Sequence, residues 1–183
     1  MLKLYGGARS RASIVQWYLE ELQIPYEFVK LDMQAGEHLQ PAYRDINPFG
    51  KVPGIVDGDV KLWESGAILL YLAERYGRET PEERAIFAQW ILFANSTLGP
   101  NVFDATTRDR ELPRLMKPLD EMLGQQAFIT GDRFTVADVA VGSILAYIPL
   151  LLKLDLSEYA NVMNYMNRMQ TRSAFQTAIG GRQ

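Results

Sequence analysis

The sequence predicts a small α/β domain followed by an all-helical domain. Over residues 1–76 the spacing of apolar residues switches several times between about two, typical of strands, and about 3.6, typical of helices. From residue 82 to residue 183 only helical spacing is found. Residues 77–81 separate the two patterns with a glycine and a helix-start signal, so they are interpreted as a linker.

The elements of the first domain are predicted in the order βαβ, loop, ββα. Strands are predicted where apolar and polar residues alternate, and helices where apolar residues share one helical face. Asp57-Gly58-Asp59 lies between two apolar runs, which is a strong hairpin signal. The predicted elements are a strand at 2–5, a helix at 11–23, a strand at 26–31, a short helix near 39–45, strands at 54–56 and 60–63, and a helix at 65–76.

Two well-specified helix starts organise the second domain. In Thr80-Pro81-Glu82-Glu83, the threonine can cap the helix, the proline fits its first position, and Glu83 completes a capping box. Thr135-Val136-Ala137-Asp138 likewise places a carboxylate at the third helical position. The stretch that follows, residues 139–152, is apolar nearly all round, which predicts a helix at the centre of the domain.

Composition excludes several classes of function. The 19 basic and 22 acidic residues give a net charge of -3, without the concentrated basic face that nucleic-acid binding needs. The chain has no cysteine, which excludes disulfides, thiolate metal ligands and cysteine nucleophiles, and its single histidine, His38, excludes a multi-histidine metal site. No export signal is visible, and residues 139–152 are too few to span a bilayer about 30 Å thick. We therefore expect a cytoplasmic protein without a metal, whose only thiol chemistry would use the thiol of a ligand.

Four features of the first domain are expected to meet at one end of its sheet. The junction Gly6-Gly7-Ala8-Arg9-Ser10 leads into a helix whose N-terminus favours an anion. Val52-Pro53 enters a strand, where the backbone of Val52 can pair with an extended peptide ligand. Glu64-Ser65 opens another helix and can hold an ammonium and a carboxylate on one carbon. His38 and Lys51 are loop cations suited to a second carboxylate.

Together these features suit a short peptide with an amino-acid-like head, a thiol in the middle and a carboxylate tail. Glutathione has that layout. Each feature alone also fits a structural role: Ser10 and Glu64-Ser65 as helix caps, and His38 and Lys51 as solvated side chains.

Several runs of the sequence are similar to those of the cytosolic glutathione transferases. They are AGEHL at 35–39, NPFGKVP at 47–53, the segment 62–72 that begins LWESGAI, and the capping segment FTVAD at 134–138. The similarity covers essentially the whole chain. It implies a thioredoxin-like first domain, an all-helical second domain and a homodimer in which the first domain of one subunit lies against the second domain of the other.

The resemblance also implies roles for individual residues. Val52 would pair its backbone with the cysteinyl part of glutathione, and the Val52-Pro53 bond would be cis. Glu64 and Ser65 would bind the γ-glutamyl group, with His38 and Lys51 near the glycyl carboxylate. Glutathione would be a co-substrate, with no cofactor bound.

The sequence offers three candidates for the residue that activates the thiol. The His38 and Glu64-Ser65 pattern is most similar to the theta and delta classes, which use a serine at the first strand-helix junction, where Ser10 lies. In the tyrosine classes the hydroxyl lies at the position of Tyr5, and the short chain without cysteine is similar to the cyanobacterial chi class. The junction lacks the usual Pro-Cys neighbourhood, and Arg11 can supply positive potential. We expect Ser10 to lead, with Arg11 and Tyr5 as the other candidates.

The resemblance implies that the thiolate attacks a hydrophobic electrophile, such as an aryl halide, isothiocyanate, epoxide or organic peroxide, in detoxification. The electrophile is expected between the domains, against Ala8, Arg9, Asn95, Leu98 and Val102. Dehalogenation and isomerisation by glutathione addition are alternative reactions. An alternative function of a different class is that of a non-catalytic module that binds ligands or partner proteins, since fold alone does not determine function.

Overall fold

The computed structural model describes residues 1–8, 10–77 and 80–180. The chain divides into two compact units, one formed by Met1–Arg78 with Ala174–Gln183, and the other by Glu79–Ser173. The predicted class, an α/β domain followed by helices, is confirmed. The predicted second domain continued to residue 183, whereas the structure returns the final helix to the first unit.

The first unit is built on a four-stranded sheet in the order β2-β1-β3-β4. Strand β1 is parallel to β2, and the other neighbouring strands are antiparallel. The elements are β1 (Leu2–Gly6), α1 (Ala12–Glu21), β2 (Tyr26–Lys30), a 3-10 turn (Glu37–Leu39), α2 (Pro41–Arg44), β3 (Gly54–Asp57), β4 (Val60–Trp63) and α3 (Ser65–Tyr76). Because β1 and β2 run parallel, the loops that follow them leave the same edge of the sheet.

The core of the first unit lies where the helices cover the sheet. Alternation along β1 buries Leu4, and the fully buried Trp17 of α1 packs in the same unit. The last helix, α9 (Ser173–Ala178), places the ring of Phe175 edge-on against Trp17, with 5.0 Å between the ring centroids. This contact explains why the end of the chain belongs to the first unit.

The second unit is helical in its described part. Its elements are α4 (Pro81–Leu92), a π-helical segment (Phe93–Leu98), α5 (Gly99–Phe103), α6 (Arg108–Leu123), α7 (Val136–Tyr147), a second π-helical segment (Ile148–Leu152) and α8 (Ala160–Gln170). Both predicted capping boxes are present, at Thr80 with Glu83 and at Thr135 with Asp138. Pro81, predicted in the linker, is already the first residue of α4. Among the described residues, no helix is long and apolar enough to cross a membrane.

One prediction for the second unit is wrong in part. Helix α7 is buried as expected, but residues 148–152 leave the regular helix, and Leu150 and Leu151 are more than half exposed. Pro149 has no N–H to continue the ladder and crowds the preceding turn. The segment ends at Lys153, whose φ of 55° is left-handed.

Three polar side chains join the β3–β4 hairpin to α3. The hydroxyls of Tyr76 and Tyr71 donate to Asp57 Oδ2 at 2.6 and 2.9 Å. The Tyr76 hydroxyl, more than any other group, lowers the pKa of Asp57, and burial raises the pKa of Tyr71 to about 12. The carboxylate is therefore better stabilised in the folded chain than in the unfolded chain.

Asp57→Asn is expected to lower the free energy of unfolding by about 1 kcal/mol near neutral pH, because two hydrogen bonds to a partly solvated carboxylate are weakened. Since the folded pKa lies below the unfolded value, this contribution is complete above the unfolded pKa and disappears as pH falls through the folded pKa. Urea unfolding at several pH values checks this, with Asp59→Asn in the same turn as the matched control. A difference that grows towards acid pH would contradict the assignment.

Candidate functional site

Two neighbouring cavities lie at the edge of the sheet where β1 ends. The first, about 370 Å³, and the second, about 280 Å³, share Lys51 and Val52 in their walls. The first is also lined by Gly7, Ser10, Met33, His38 and Gly50. The second is also lined by Arg11, Asn47, Pro53, Glu64 and Ser65. The structure thus brings together Ser10, Arg11 and every residue that the sequence assigned to glutathione.

Ser10 lies at the start of α1, in a network of backbone contacts. Its Oγ accepts from the N–H of Gly7 at 3.1 Å and from the N–H of Ala12 at 3.3 Å, and its hydroxyl donates to the carbonyl of Gly7 at 3.1 Å. A Cβ on Gly6 would lie 2.4 Å from the Cβ of Ala12, so only glycine fits this close passage from strand to helix. Rotation about the Cβ–Oγ bond would redirect the hydroxyl proton from Gly7 to a ligand in the first cavity.

The other two candidates for thiol activation lie elsewhere. Arg11 is exposed and lines the second cavity with Glu64 and Ser65, not the cavity of Ser10. Tyr5 lines neither cavity: its place in β1 directs its ring to Tyr43, with 5.7 Å between centroids. Strand alternation is the reason, because Leu4 and Gly6 occupy the buried face and Tyr5 the opposite one. The expectation that Tyr5 activates the thiol therefore has no geometric support.

The turn at Lys51, Val52 and Pro53 is held by two side chains that the sequence analysis did not assign to the site. The Val52-Pro53 bond is cis, as the resemblance implied. The hydroxyl of Tyr43 and the Nδ2 of Asn47 each donate to the carbonyl of Lys51 at 2.6 Å. Both side chains are buried, and burial raises the pKa of Tyr43 to about 12. They fix the backbone that leads into Val52, which forms a wall of both cavities.

Glu64 and Ser65 line the second cavity. Glu64 has a φ of 69°, a left-handed conformation that is uncommon for a residue with a side chain. Its carboxylate is exposed, while Ser65 is buried at the first position of α3. The free N–H groups of that helix end and the hydroxyl can bind a carboxylate, and Glu64 can bind an ammonium beside it.

His38 and Lys51 both line the first cavity. His38 is half-buried in the 3-10 turn, and its Nδ1 is buried without a hydrogen-bond partner among the described residues. Gly50 has a φ of 62°, and a Cβ there would lie 3.0 Å from the carbonyl oxygen of His38, so a glycine lets the two loops approach. An imidazole and an exposed ammonium are thus available to an anionic group.

Met33 is another lining residue that the sequence analysis did not single out. It follows β2, and the register of β1 with β2 places its loop beside the loop that carries Ser10. A parallel pairing of the first two strands was the signal that could have found it.

Only some of the residues predicted to contact the electrophile are accessible to a ligand. Ala8 is exposed and Asn95 is half-buried, whereas Arg9 lies outside the described residues. Leu98 and Val102 are completely buried, so the expectation that they line a substrate surface is wrong. Their apolar side chains pack in the helical interior, the usual fate of such residues at helical spacing. No group of three or more metal-ligating side chains that could hold a metal ion occurs in the described part of the chain.

Comparison with known proteins agrees with this geometry. Residues 1–74 match the family model of the glutathione S-transferase N-terminal domain, and residues 101–168 match that of the C-terminal domain. The chain is 29% identical to the disulfide-bond oxidoreductase YfcG of Escherichia coli, over 98% of this chain and 94% of that protein. It is 28% identical to a glutathione S-transferase of Hyoscyamus muticus, over 95% of this chain and 86% of the relative.

The likeness extends to the fold of a solved structure. The theta class glutathione S-transferase of Xanthomonas axonopodis pv. citri, solved with glutathione bound, is 28% identical with a TM-score of 0.82, and the match covers 97% of this chain and 96% of that one. Both family models, these relatives and the paired cavities agree, and the chain belongs to the glutathione S-transferase family.

Proposed function

We propose that this protein conjugates the thiolate of glutathione to hydrophobic electrophiles. The observation that carries the proposal is the placement of Ser10 and Val52 in one cavity, with Glu64 and Ser65 in the cavity that adjoins it. A glutathione whose γ-glutamyl group is held by Glu64 and Ser65 would run past Val52 and bring its thiol towards Ser10. The glycyl carboxylate would lie near His38 and Lys51.

Thiolate formation is the step to which the protein contributes most directly. A free thiol with a pKa of about 8.5 is only a few per cent ionised at neutral pH. Lowering that pKa by about two units requires about 2.7 kcal/mol of selective stabilisation of the thiolate. A hydrogen bond from Ser10 supplies about 1.5–3 kcal/mol, and the N-terminus of α1 adds about 0.3–1 kcal/mol.

With an aryl halide, the thiolate attacks the ring carbon and the halide departs with the electron pair. With an isothiocyanate, the thiolate adds to the central carbon and the nitrogen takes up a proton from solvent. No protein general base is required, because the thiol has already lost its proton to solvent. We further propose detoxification in the cytoplasm as the setting and a homodimer as the active form. Ala8, two residues before Ser10, is exposed and therefore accessible to an electrophile.

A second candidate reaction is glutathione-dependent disulfide reduction. It is favoured by the identity of 29% to a relative named as a disulfide-bond oxidoreductase. Because this chain has no cysteine, two glutathione molecules would supply both reducing thiols: the first thiolate forms a mixed disulfide and releases one thiol of the substrate, and the second releases the other thiol and leaves glutathione disulfide.

Turnover assays separate these functions from a binding module. Glutathione is supplied with an aryl halide, an isothiocyanate, an organic hydroperoxide or a small disulfide, and S-methylglutathione serves as a competitive inhibitor. Conjugation of a carbon electrophile supports the proposal, and disulfide reduction alone supports the second candidate. Glutathione binding without turnover of any of the four would overturn both in favour of the binding module.

Tyr43→Phe tests the support of the Val52 turn. Loss of its hydrogen bond to the Lys51 carbonyl is expected to raise the KM for glutathione about three- to tenfold with little change in kcat, because the ground state and the transition state lose the same positioning. Tyr26→Phe is the matched control. The Tyr26 hydroxyl donates to the carboxylate of Glu20 at 2.6 Å, and Tyr26 lines neither cavity. Equal KM values for the two variants would contradict the role given to Tyr43.

A further inference from the structure

The thioether of Met33 lies directly against the junction that carries Ser10. A Cβ placed on Gly7 would be 2.7 Å from Met33 Cγ and 3.1 Å from Met33 Sδ. The thioether therefore packs close to the Gly7 backbone, and a larger residue at position 7 would require the Met33 side chain to move. Gly7 also exchanges two hydrogen bonds with Ser10. Gly7 therefore contacts both the Met33 thioether and the hydroxyl that is proposed to stabilise the thiolate.

The loop that carries Met33 is held in a defined conformation. Asp32 Oδ1 accepts from the N–H groups of Gln34 and Ala35 at 2.9 and 3.0 Å, which forms a turn around Met33. The carboxylate of Glu37 accepts from the N–H of Asp32 at 2.7 Å and closes the loop. Met33 is thus positioned by its own loop, before any ligand enters.

Exposure distinguishes Met33 from the methionines of the core. Met33 is 37% exposed, whereas Met116, Met166 and Met169 are at most 3% exposed. Met1 is more exposed but lies at the chain terminus, away from the described cavities. Met33 is therefore an accessible thioether that also lines the first cavity.

We propose that Met33 is a modification site for hydroperoxides, and that its sulfoxide lowers the reactivity of glutathione bound beside Ser10. The second part rests on the proposed function. In the reaction the thioether sulfur attacks the terminal oxygen of the hydroperoxide, an S–O bond forms and the O–O bond breaks. The sulfur loses two electrons, and the departing alkoxide takes up the hydroperoxide proton to leave as an alcohol, or as water when the oxidant is hydrogen peroxide.

The consequence follows from the polarity of the product. A sulfoxide oxygen carries partial negative charge and accepts hydrogen bonds, whereas the thioether does neither strongly. Next to Gly7 it competes for the hydroxyl proton of Ser10 and repels a neighbouring thiolate. A rise of about one unit in the pKa of bound glutathione would reduce the thiolate fraction about tenfold at pH values well below the original pKa.

The test exposes the full-length protein to hydrogen peroxide and follows each methionine by mass spectrometry. Trypsin releases residues 31–44, in which Met33 is the only methionine. We expect Met33 to gain an oxygen about five times faster than the half-buried Met163, and saturating S-methylglutathione to slow the oxidation of Met33 alone. Equal rates for the two residues, or no protection, would overturn the assignment.

The second readout is the ultraviolet thiolate absorbance of bound glutathione against pH. Oxidation is expected to raise the thiol pKa by about one unit in wild type and in the control Met163→Leu, but not in Met33→Leu, with each variant compared with its own untreated sample. Methionine sulfoxide reductases are expected to restore the wild-type pKa. An unchanged thiol pKa after complete oxidation of Met33 overturns the inference about Met33 and leaves the proposed conjugation reaction unaffected. Untreated protein that lowers the thiol pKa without turnover overturns the conjugation reaction and leaves the role of Met33 intact.

Discussion

Replacing Ser10 with alanine is expected to raise the pKa of bound glutathione by about one to two units and to slow conjugation about 10- to 100-fold near neutral pH. The Ser10 side chain lines the first cavity at the β1–α1 junction, and its hydroxyl donates to the Gly7 carbonyl. In the variant the thiolate retains only the helix N-terminus and backbone N–H groups. Those contribute less than a charge-assisted hydrogen bond.

The pH profile makes this prediction specific. If Ser10 acts on the thiol pKa, the rate of Ser10→Ala should rise with pH and approach that of wild type above the raised pKa, because the thiolate then forms without help. Tyr5→Phe is the control, since its ring packs on Tyr43 and lines neither cavity. A full rate in Ser10→Ala, or a loss confined to Tyr5→Phe, would reassign the thiol donor.

Local signals in the sequence predict several element boundaries in both units. The Asp57-Gly58 pair marks the β3–β4 hairpin because its turn needs a left-handed residue, and Gly58 has a φ of 59°. Thr80 and Thr135 mark helix starts because each is followed at the third position by a carboxylate that can complete a capping box. Such features depend on residues a few positions apart, so they can be identified without knowledge of the tertiary structure.

What the sequence does not predict depends on contacts distant along the chain. Phe175 and Trp17 are brought together only by folding, and therefore α9 could not be assigned to the first unit. Leu98 and Val102 have the same helical spacing whether they line a cavity or fill the core, and only their burial decides. Tyr43 donates to the backbone carbonyl of Lys51, and Met33 packs against the backbone of Gly7. No sequence motif marks contacts of this kind.

Asp138 shows how a local capping signal becomes a long-range support. Its Oδ2 accepts from the N–H of Thr135 at 2.8 Å, as the capping box predicts. Its Oδ1 accepts from the N–H of Ile129 at 2.8 Å and from the hydroxyl of Tyr165 at 3.1 Å. The carboxyl is completely buried, and burial raises its pKa, although each of these donors opposes that rise. One side chain thus connects the start of α7 to the preceding loop and to α8.

Asp138→Ala is accordingly expected to lower the free energy of unfolding by about 3–5 kcal/mol and the Tm by about 10 °C, because it removes the carboxylate acceptor of the Ile129 and Thr135 N–H groups and of the Tyr165 hydroxyl. Chemical and thermal unfolding measure this, with the exposed Asp132→Ala as the matched control. A double-mutant cycle with Tyr165→Phe should give a coupling energy of about 1 kcal/mol or more, since the two side chains are in direct contact. A loss below about 1 kcal/mol in Asp138→Ala would show that water or a rearranged loop replaces the carboxylate, and the second unit would then not depend on this residue.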